Sequence, residues 1–260
     1  MKGHSPSALR LSTTAACECR LQGELETAGS AKIPVVSAPL TRDLGGAMPT
    51  TEMVKLYGAA WSVYVRIVRL ALQEKQVKYE LVEVDVFAET GVPQEHLTRH
   101  PFGRIPAFEH GGFHLYETGA IVRYIDDAFP GCELQPIDPR ARAKVNQIVG
   151  ILDAYAYRTL VWDIYVERVV SVREGRLADE RKIAAALPRA AVCLSELNRL
   201  ADDQEFLIGD DVTFADLYAA PMFAYFMQTP EAVSLTEGHD KLICWWQRFS
   251  ARDSMSRTCP

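Results

Sequence analysis

The chain has 260 residues, is 48% apolar and 24% charged, and carries a net charge of −6. That composition is ordinary for a globular protein, and the length allows one large domain or two small ones. Scattered Lys and Arg on a negative balance argue against nucleic acid or an anionic membrane as partner, and no apolar run approaches the ~18 residues a membrane helix needs.

Residues 1–50 contain no Phe, Tyr or Trp and are rich in Ser, Thr, Ala, Gly and Pro. Such a segment buries little, so disorder is the expectation. It has no apolar core of a secretory signal. Lys2 and Arg10, with no acid among the first 17 residues, are compatible with a transit peptide. The plainer reading is a dispensable tail or an upstream extension, with Met48 or Met53 as natural starts. The six cysteines are Cys17, Cys19, Cys132, Cys193, Cys244 and Cys259, with no C-x-x-C among them. They resemble neither a disulfide framework nor a four-cysteine zinc site. They read as free thiols in a reducing, cytoplasmic setting. Cys17-Glu18-Cys19 is a metal candidate without a second pair, so no metal site is assigned.

From Val54 the pattern sharpens. Val54–Tyr57 reads as a strand ended by Gly58. Ser62 opens a helix with Val63, Ile67, Leu70 and Ala71 at helical spacing. Tyr79–Val86 alternates, with Val82, Val84 and Val86 on one face, and reads as a second strand. Ile105–Phe108 and Phe113–Tyr116 form a hairpin around Gly111-Gly112. Thr118 starts a helix with Ile121, Ile125 and Phe129 on one stripe, and Gly131 stands at its C-cap. The predicted order is β-α-β-loop-β-β-α, with a right-handed crossover between the first two strands.

Residues 131–139 read as a linker. Beyond it, over 140–260, only helical periods occur. Val145, Ile148, Val149, Leu152 and Ala156 mark a long helix. Ile183, Leu187, Ala191, Leu194 and Leu197 mark another, which Pro188 should kink. Phe214–Met227 and Leu242–Phe249 are two more. The fold class is therefore α/β followed by all-α: a small α/β domain over 53–130, then a helical domain.

Pro106 falls inside a predicted strand, where it has no N–H for the ladder. Two readings stand. A cis Ile105–Pro106 bond would leave the main chain of Ile105 free for an extended peptide; alternatively the proline only shapes the turn into an edge strand. Glu117-Thr118 likewise has two readings. The free N–H groups of a helix start suit a carboxylate while Glu117 takes an ammonium; or Thr118 is a plain N-cap beside an acid. Ser62 is either a plain N-cap or a hydroxyl that, with the positive helix end, stabilises a thiolate. It lies in no G-x-S-x-G. Tyr57, at a strand end, is a rival hydroxyl or a core aromatic.

Taken together, "KLYGAAWSVYVRIVRLAL", "HPFGRIPAFEHGGFHLYETGAIVRYI" and "FLIGDDVTFADL" resemble a cytosolic glutathione S-transferase of the serine-type, phi-like classes, over about residues 53 to 252. The resemblance implies a thioredoxin-like N-terminal domain, an all-helical C-terminal domain and a homodimer. It implies that Pro106 is the structural cis-proline. Ile105 would pair with the cysteinyl unit of glutathione, Glu117 and Thr118 would hold the γ-glutamyl end, and Arg104 would stand near the ligand. Ser62 would activate the thiol. Glutathione is then a co-substrate, and no metal or redox cofactor is needed. Thr213 and Asp216 match a capping box. Phe87–Gln94 lacks the His and Lys that phi-like members offer to the glycyl carboxylate, and Arg99 or Arg104 is the substitute. The electrophile pocket would lie between the domains, with Tyr64, Tyr155, Tyr157, Trp162 and Tyr165 as candidates; as large aromatics, they are also fit for core or interface packing. The expected activity is conjugation of glutathione to hydrophobic electrophiles. The alternatives are another glutathione-dependent reaction, such as isomerisation, dehalogenation or peroxide reduction, or a non-catalytic binding module on the same fold.

Overall fold

The computed structural model describes residues 52–260. The tail expected over 1–50 and the Cys17/Cys19 pair lie outside the described residues. Strand β1 (Val54–Tyr57) leads through Gly58 to helix α1 (Val63–Glu74), then β2 (Tyr79–Val82), α2 (Gln94–Arg99), β3 (Ala107–His110), β4 (Phe113–Tyr116) and α3 (Thr118–Ala128). The sheet has four strands in the order β2-β1-β3-β4. β2 runs parallel to β1, while β3 and β4 run antiparallel to their neighbours. This is the expected α/β unit, with corrections of detail.

Strand β2 stops at Val82 rather than Val86. Val82, Val84 and Val86 still gather with Tyr57 and Ala107 on one face of the sheet. Apolar alternation there reports burial, not ladder pairing. Helix α2 was not foreseen, because its six residues are too few to show a period. Strand β3 begins at Ala107, so Pro106 precedes the strand instead of interrupting it. The Ile105–Pro106 bond is cis. Helix α3 is capped by Glu117, with Thr118 as its first residue, and it ends at Phe129 ahead of Gly131.

Alternation along β1 puts Val54 and Leu56 on the face covered by α1 and α3, where they pack with Ile67, Leu70, Phe108, Ile121 and Ile125. The chain can turn from β1 into α1 this tightly only because residue 58 is Gly. A Cβ there would sit 2.4 Å from Val65 Cγ2, and φ is +157°.

The regular elements of the C-terminal part are all helices among the described residues. Asp138 caps α4 (Pro139–Ile151) by accepting from the Ala141 N–H at 2.8 Å. The helix continues over Leu152–Ser171 as a wider π-type helix, where the sequence predicted an ordinary one. Its buried residues Leu152, Ala156, Leu160 and Ile164 recur every four positions, a longer repeat than 3.6. There follow α5 (Glu180–Leu200), α6 (Phe214–Phe226), α7 (Glu231–Leu235), α8 (Asp240–Ser250) and α9 (Asp253–Arg257). In α5 the buried stripe runs through Ile183, Ala186, Ala190, Cys193, Leu194 and Leu197, so Leu187 and Ala191 sit at its margin.

Helix α6 is the hub, buried along most of its length. Thr213 and Asp216 form the expected capping box. Asp216 also accepts from the Leu207 N–H at 2.9 Å and the Trp245 indole N–H at 2.8 Å. All described residues fall in one compact unit. Lys75, the C-cap of α1, pairs with Asp126 of α3 at 3.0 Å, and Asp126 accepts from the Leu134 N–H of the linker at 2.9 Å. Arg66 and Arg69 of α1, both buried, donate to the Met255 and Thr258 carbonyls at 3.0 Å. The α/β unit and the C-terminal segment are thus joined by charge-assisted bonds as well as apolar packing. Among the described residues no helix is long and apolar enough to cross a membrane.

Candidate active site

Ser62 sits at the N-terminus of α1 and is 7% exposed. Its Oγ accepts from the Val65 N–H at 3.4 Å, a long bond, and its own O–H has no acceptor among the described residues. The hydroxyl is therefore free to donate, beside the positive end of an α-helix.

Ile105 approaches the same helix start, for a Cβ on Gly58 would touch both Val65 and Ile105. Neither main-chain group of Ile105 has a hydrogen-bond partner among the described residues. Its N–H and C=O stand just outside β3, at the point where a peptide can pair with the strand end.

Glu117 and Thr118 close the other side. Glu117 is exposed and adopts φ 70°, ψ 115°, an unusual conformation for a non-glycine residue. Its carbonyl accepts from Ala120 and Ile121, while the N–H groups of Thr118 and Gly119 have no partner among the described residues. They face outward from the start of α3 and suit a carboxylate.

The two substitute cations separate clearly. Arg99 bonds to Glu95 and lies over the Tyr57 ring at 4.2 Å. It is already engaged on the far face of the sheet. Arg104 is exposed, makes no ion pair among the described residues, and exerts its charge on Tyr157 and His100. Tyr57 donates to Glu109 at 2.7 Å, so its hydroxyl is committed away from Ser62. Burial, and then Glu109, push its pKa up.

Aromatic side chains gather around the start of α1 that carries Ser62. Tyr64 meets Tyr157 edge-on at 4.6 Å, Trp61 stacks on Phe87 at 5.6 Å, and Phe87 meets Trp162 at 6.2 Å. Tyr165 stacks on Tyr225 at 4.5 Å. Burial holds the Tyr64 hydroxyl protonated well above its usual range, and the Asp153 carboxylate adds to this. Burial raises Tyr157 and Tyr165 in the same direction. These phenols present hydroxyls, not phenolates. Tyr155 stands apart, 63% exposed and without a ring contact among the described residues. Sequence reading missed Trp61 and Phe87. Their signal was present in the Trp directly before Ser62 and in a Phe in the loop after β2. Among the described residues, no group of three or more His, Cys, Asp or Glu side chains is placed to hold a metal ion.

Comparison with known proteins agrees with this architecture. Family models described as glutathione S-transferase, N-terminal domain, and glutathione S-transferase, C-terminal domain, match residues 56–133 and 154–253. A rice protein, probable glutathione S-transferase GSTF1 of Oryza sativa subsp. japonica, is 32% identical over 208 residues, covering 78% of this chain and 94% of its own. Glutathione transferase F7 from Populus trichocarpa superposes with a TM-score of 0.70 at 28% identity, over 79% of this chain and 97% of that one. Glutathione S-transferase I from maize, solved in complex with an atrazine glutathione conjugate, gives a TM-score of 0.70 at 25% identity over 80% and 96% of the two chains.

Proposed function

The chain belongs to the glutathione S-transferase family, and on that premise we propose that Ser62 is its catalytic residue. The activity is conjugation of glutathione to electrophiles. The sulfur forms a bond to the electrophilic carbon, and the displaced group leaves with the bonding electron pair or, in an addition, the neighbouring atom takes a proton. Only the thiolate attacks well, and a free thiol has a pKa of about 8.5. A hydrogen bond from the Ser62 hydroxyl and the positive end of α1 both favour the thiolate. The observation that carries this reading is a buried hydroxyl with an unused O–H at a helix start, beside the unpaired main chain of Ile105.

The rest of glutathione is assigned by charge. The γ-glutamyl carboxylate goes to the N–H groups of Thr118 and Gly119, and the ammonium to Glu117. Ile105 pairs with the cysteinyl unit, and Arg104 takes the glycyl carboxylate. Holding the peptide this way supplies proximity. The electrophile lies against Trp61, Phe87, Trp162, Tyr64 and Tyr157, so apolar and aromatic electrophiles are favoured. The chemistry asks for no metal or redox cofactor, glutathione being the co-substrate. We further assign the chain to a homodimer. A cytoplasmic site of action is supported by Cys132, Cys193, Cys244 and Cys259 being free thiols.

The test is Ser62→Ala, assayed with a model aryl halide and by retention on glutathione resin. Loss of one hydrogen bond to a charged sulfur should lower kcat/KM about 10- to 100-fold with retention kept. An unchanged rate would remove Ser62 from the mechanism.

A further inference from the structure

His96 of α2 is 1% exposed, and its Nε2 lies 2.7 Å from the carbonyl oxygen of Arg104. A carbonyl only accepts, so Nε2 carries the hydrogen. Nδ1 is buried and has no partner among the described residues. The stretch 101–106 has few backbone hydrogen bonds to hold it. Among the described residues its one backbone bond is from the Gly103 N–H to the His100 carbonyl, at 2.9 Å. Both anchors come from the last turn of α2. The ring of His100, the C-cap of that helix, packs on Tyr116 at 4.9 Å, next to Glu117.

The Arg104 carbonyl and the Ile105 N–H belong to one planar peptide unit, in which C=O and N–H point in opposite directions. Drawing the oxygen toward His96 therefore aims the Ile105 N–H the other way, at the cleft. We propose that His96 is a positioning residue for glutathione: it fixes the rotation of the 104–105 peptide plane and so presents the Ile105 N–H to the cysteinyl unit. This rests on the glutathione-binding reading above. Without the imidazole, the Arg104 carbonyl loses its partner and the plane is free to turn.

The experiment compares the parent protein with His96→Met and His96→Gln, by titration with glutathione and by steady-state kinetics. His96→Met should weaken glutathione binding about tenfold, while kcat at saturating glutathione stays within about threefold. The Gln side-chain amide stands about where Nε2 does, so His96→Gln should recover affinity to within about threefold. In the parent, nitrogen NMR of the His96 ring should show the Nε2–H tautomer. Parental affinity in a folded His96→Met, a His96→Gln as weak as His96→Met, or an Nδ1–H tautomer would each overturn the proposal. If His96→Met does not fold, the Gln variant and the ring tautomer decide. A parent protein that does not bind glutathione would instead overturn the functional reading itself.

Discussion

Tyr225, on α6 of the helical part, donates its hydroxyl to the main-chain carbonyl of Trp61, the residue before Ser62. The loop that carries Ser62 is thus held by a residue of the helical part. Tyr165 stacks on the same ring, and burial pushes the Tyr225 pKa up to about 12.

It follows that Tyr225→Phe should lower kcat about 3- to 10-fold by leaving the Trp61 carbonyl unpaired. Because the phenol remains protonated well past neutrality, the loss should be constant from pH 6 to 9. A pH–rate profile of both proteins checks this. A ratio that changes with pH would mean the hydroxyl acts on the thiol directly.

Arg104 is the one cation assigned to the glycyl end, and it has no competing carboxylate among the described residues. Replacing it with Met should raise the KM for glutathione about tenfold. The sharper measurement uses the glycyl ethyl ester of glutathione. The parent should prefer the free acid, and the variant should lose that preference. If both proteins discriminate equally, the glycyl carboxylate is held elsewhere.

Asp216 accepts from the Leu207 N–H, the Thr213 N–H, the Thr213 hydroxyl and the Trp245 indole. It is fully buried, so removing the carboxylate strands four donors at the centre of the helical part. Asp216→Ala should cost about 3–5 kcal/mol in denaturant unfolding, in the range of broken buried polar networks. A loss under about 1 kcal/mol would show that the cap is replaceable.

His100 gives the acid-side behaviour. It is 2% exposed, and burial depresses its pKa below the ordinary 6.5, opposed by the Glu117 carboxylate and assisted by His96 and Arg104. Above pH 6.5 the folded and unfolded chains are both neutral at this ring. As pH falls through 6.5 the unfolded chain takes up its proton first, so stability falls. Thermal unfolding followed from pH 7.5 to 5 should show this loss, and His100→Asn should flatten the slope. A variant as acid-sensitive as the parent would place the effect on other groups.

Much of the architecture was legible because it rests on local signals. Ser62 and Thr213 are capping residues, and caps are written in a few adjacent positions. β1 and α1 have periods that match their burial. The failures are equally physical. Helix α2 is shorter than two turns, so no period exists to be seen. Strand β2 was drawn too long, because apolar alternation continues in a loop that packs on the sheet. The wide helix over Leu152–Ser171 follows a four-residue repeat that is hard to tell from an α-helical one over a short window.

The candidate site divides along the same line. Sequence alone determined the chemistry on offer: a hydroxyl and an acid at two helix starts, a proline that breaks pairing, and the order of the domains. Each is a property of neighbours along the chain. The tertiary structure alone decided which partners those groups meet. It sets Arg99 over the Tyr57 ring and leaves Arg104 open. It brings Phe87 and Trp162 to Trp61, sets Tyr155 apart, and places His96 under the Arg104 carbonyl. These are contacts between residues distant in sequence or on different elements, fixed by how the helices pack on the sheet, and no local pattern encodes them.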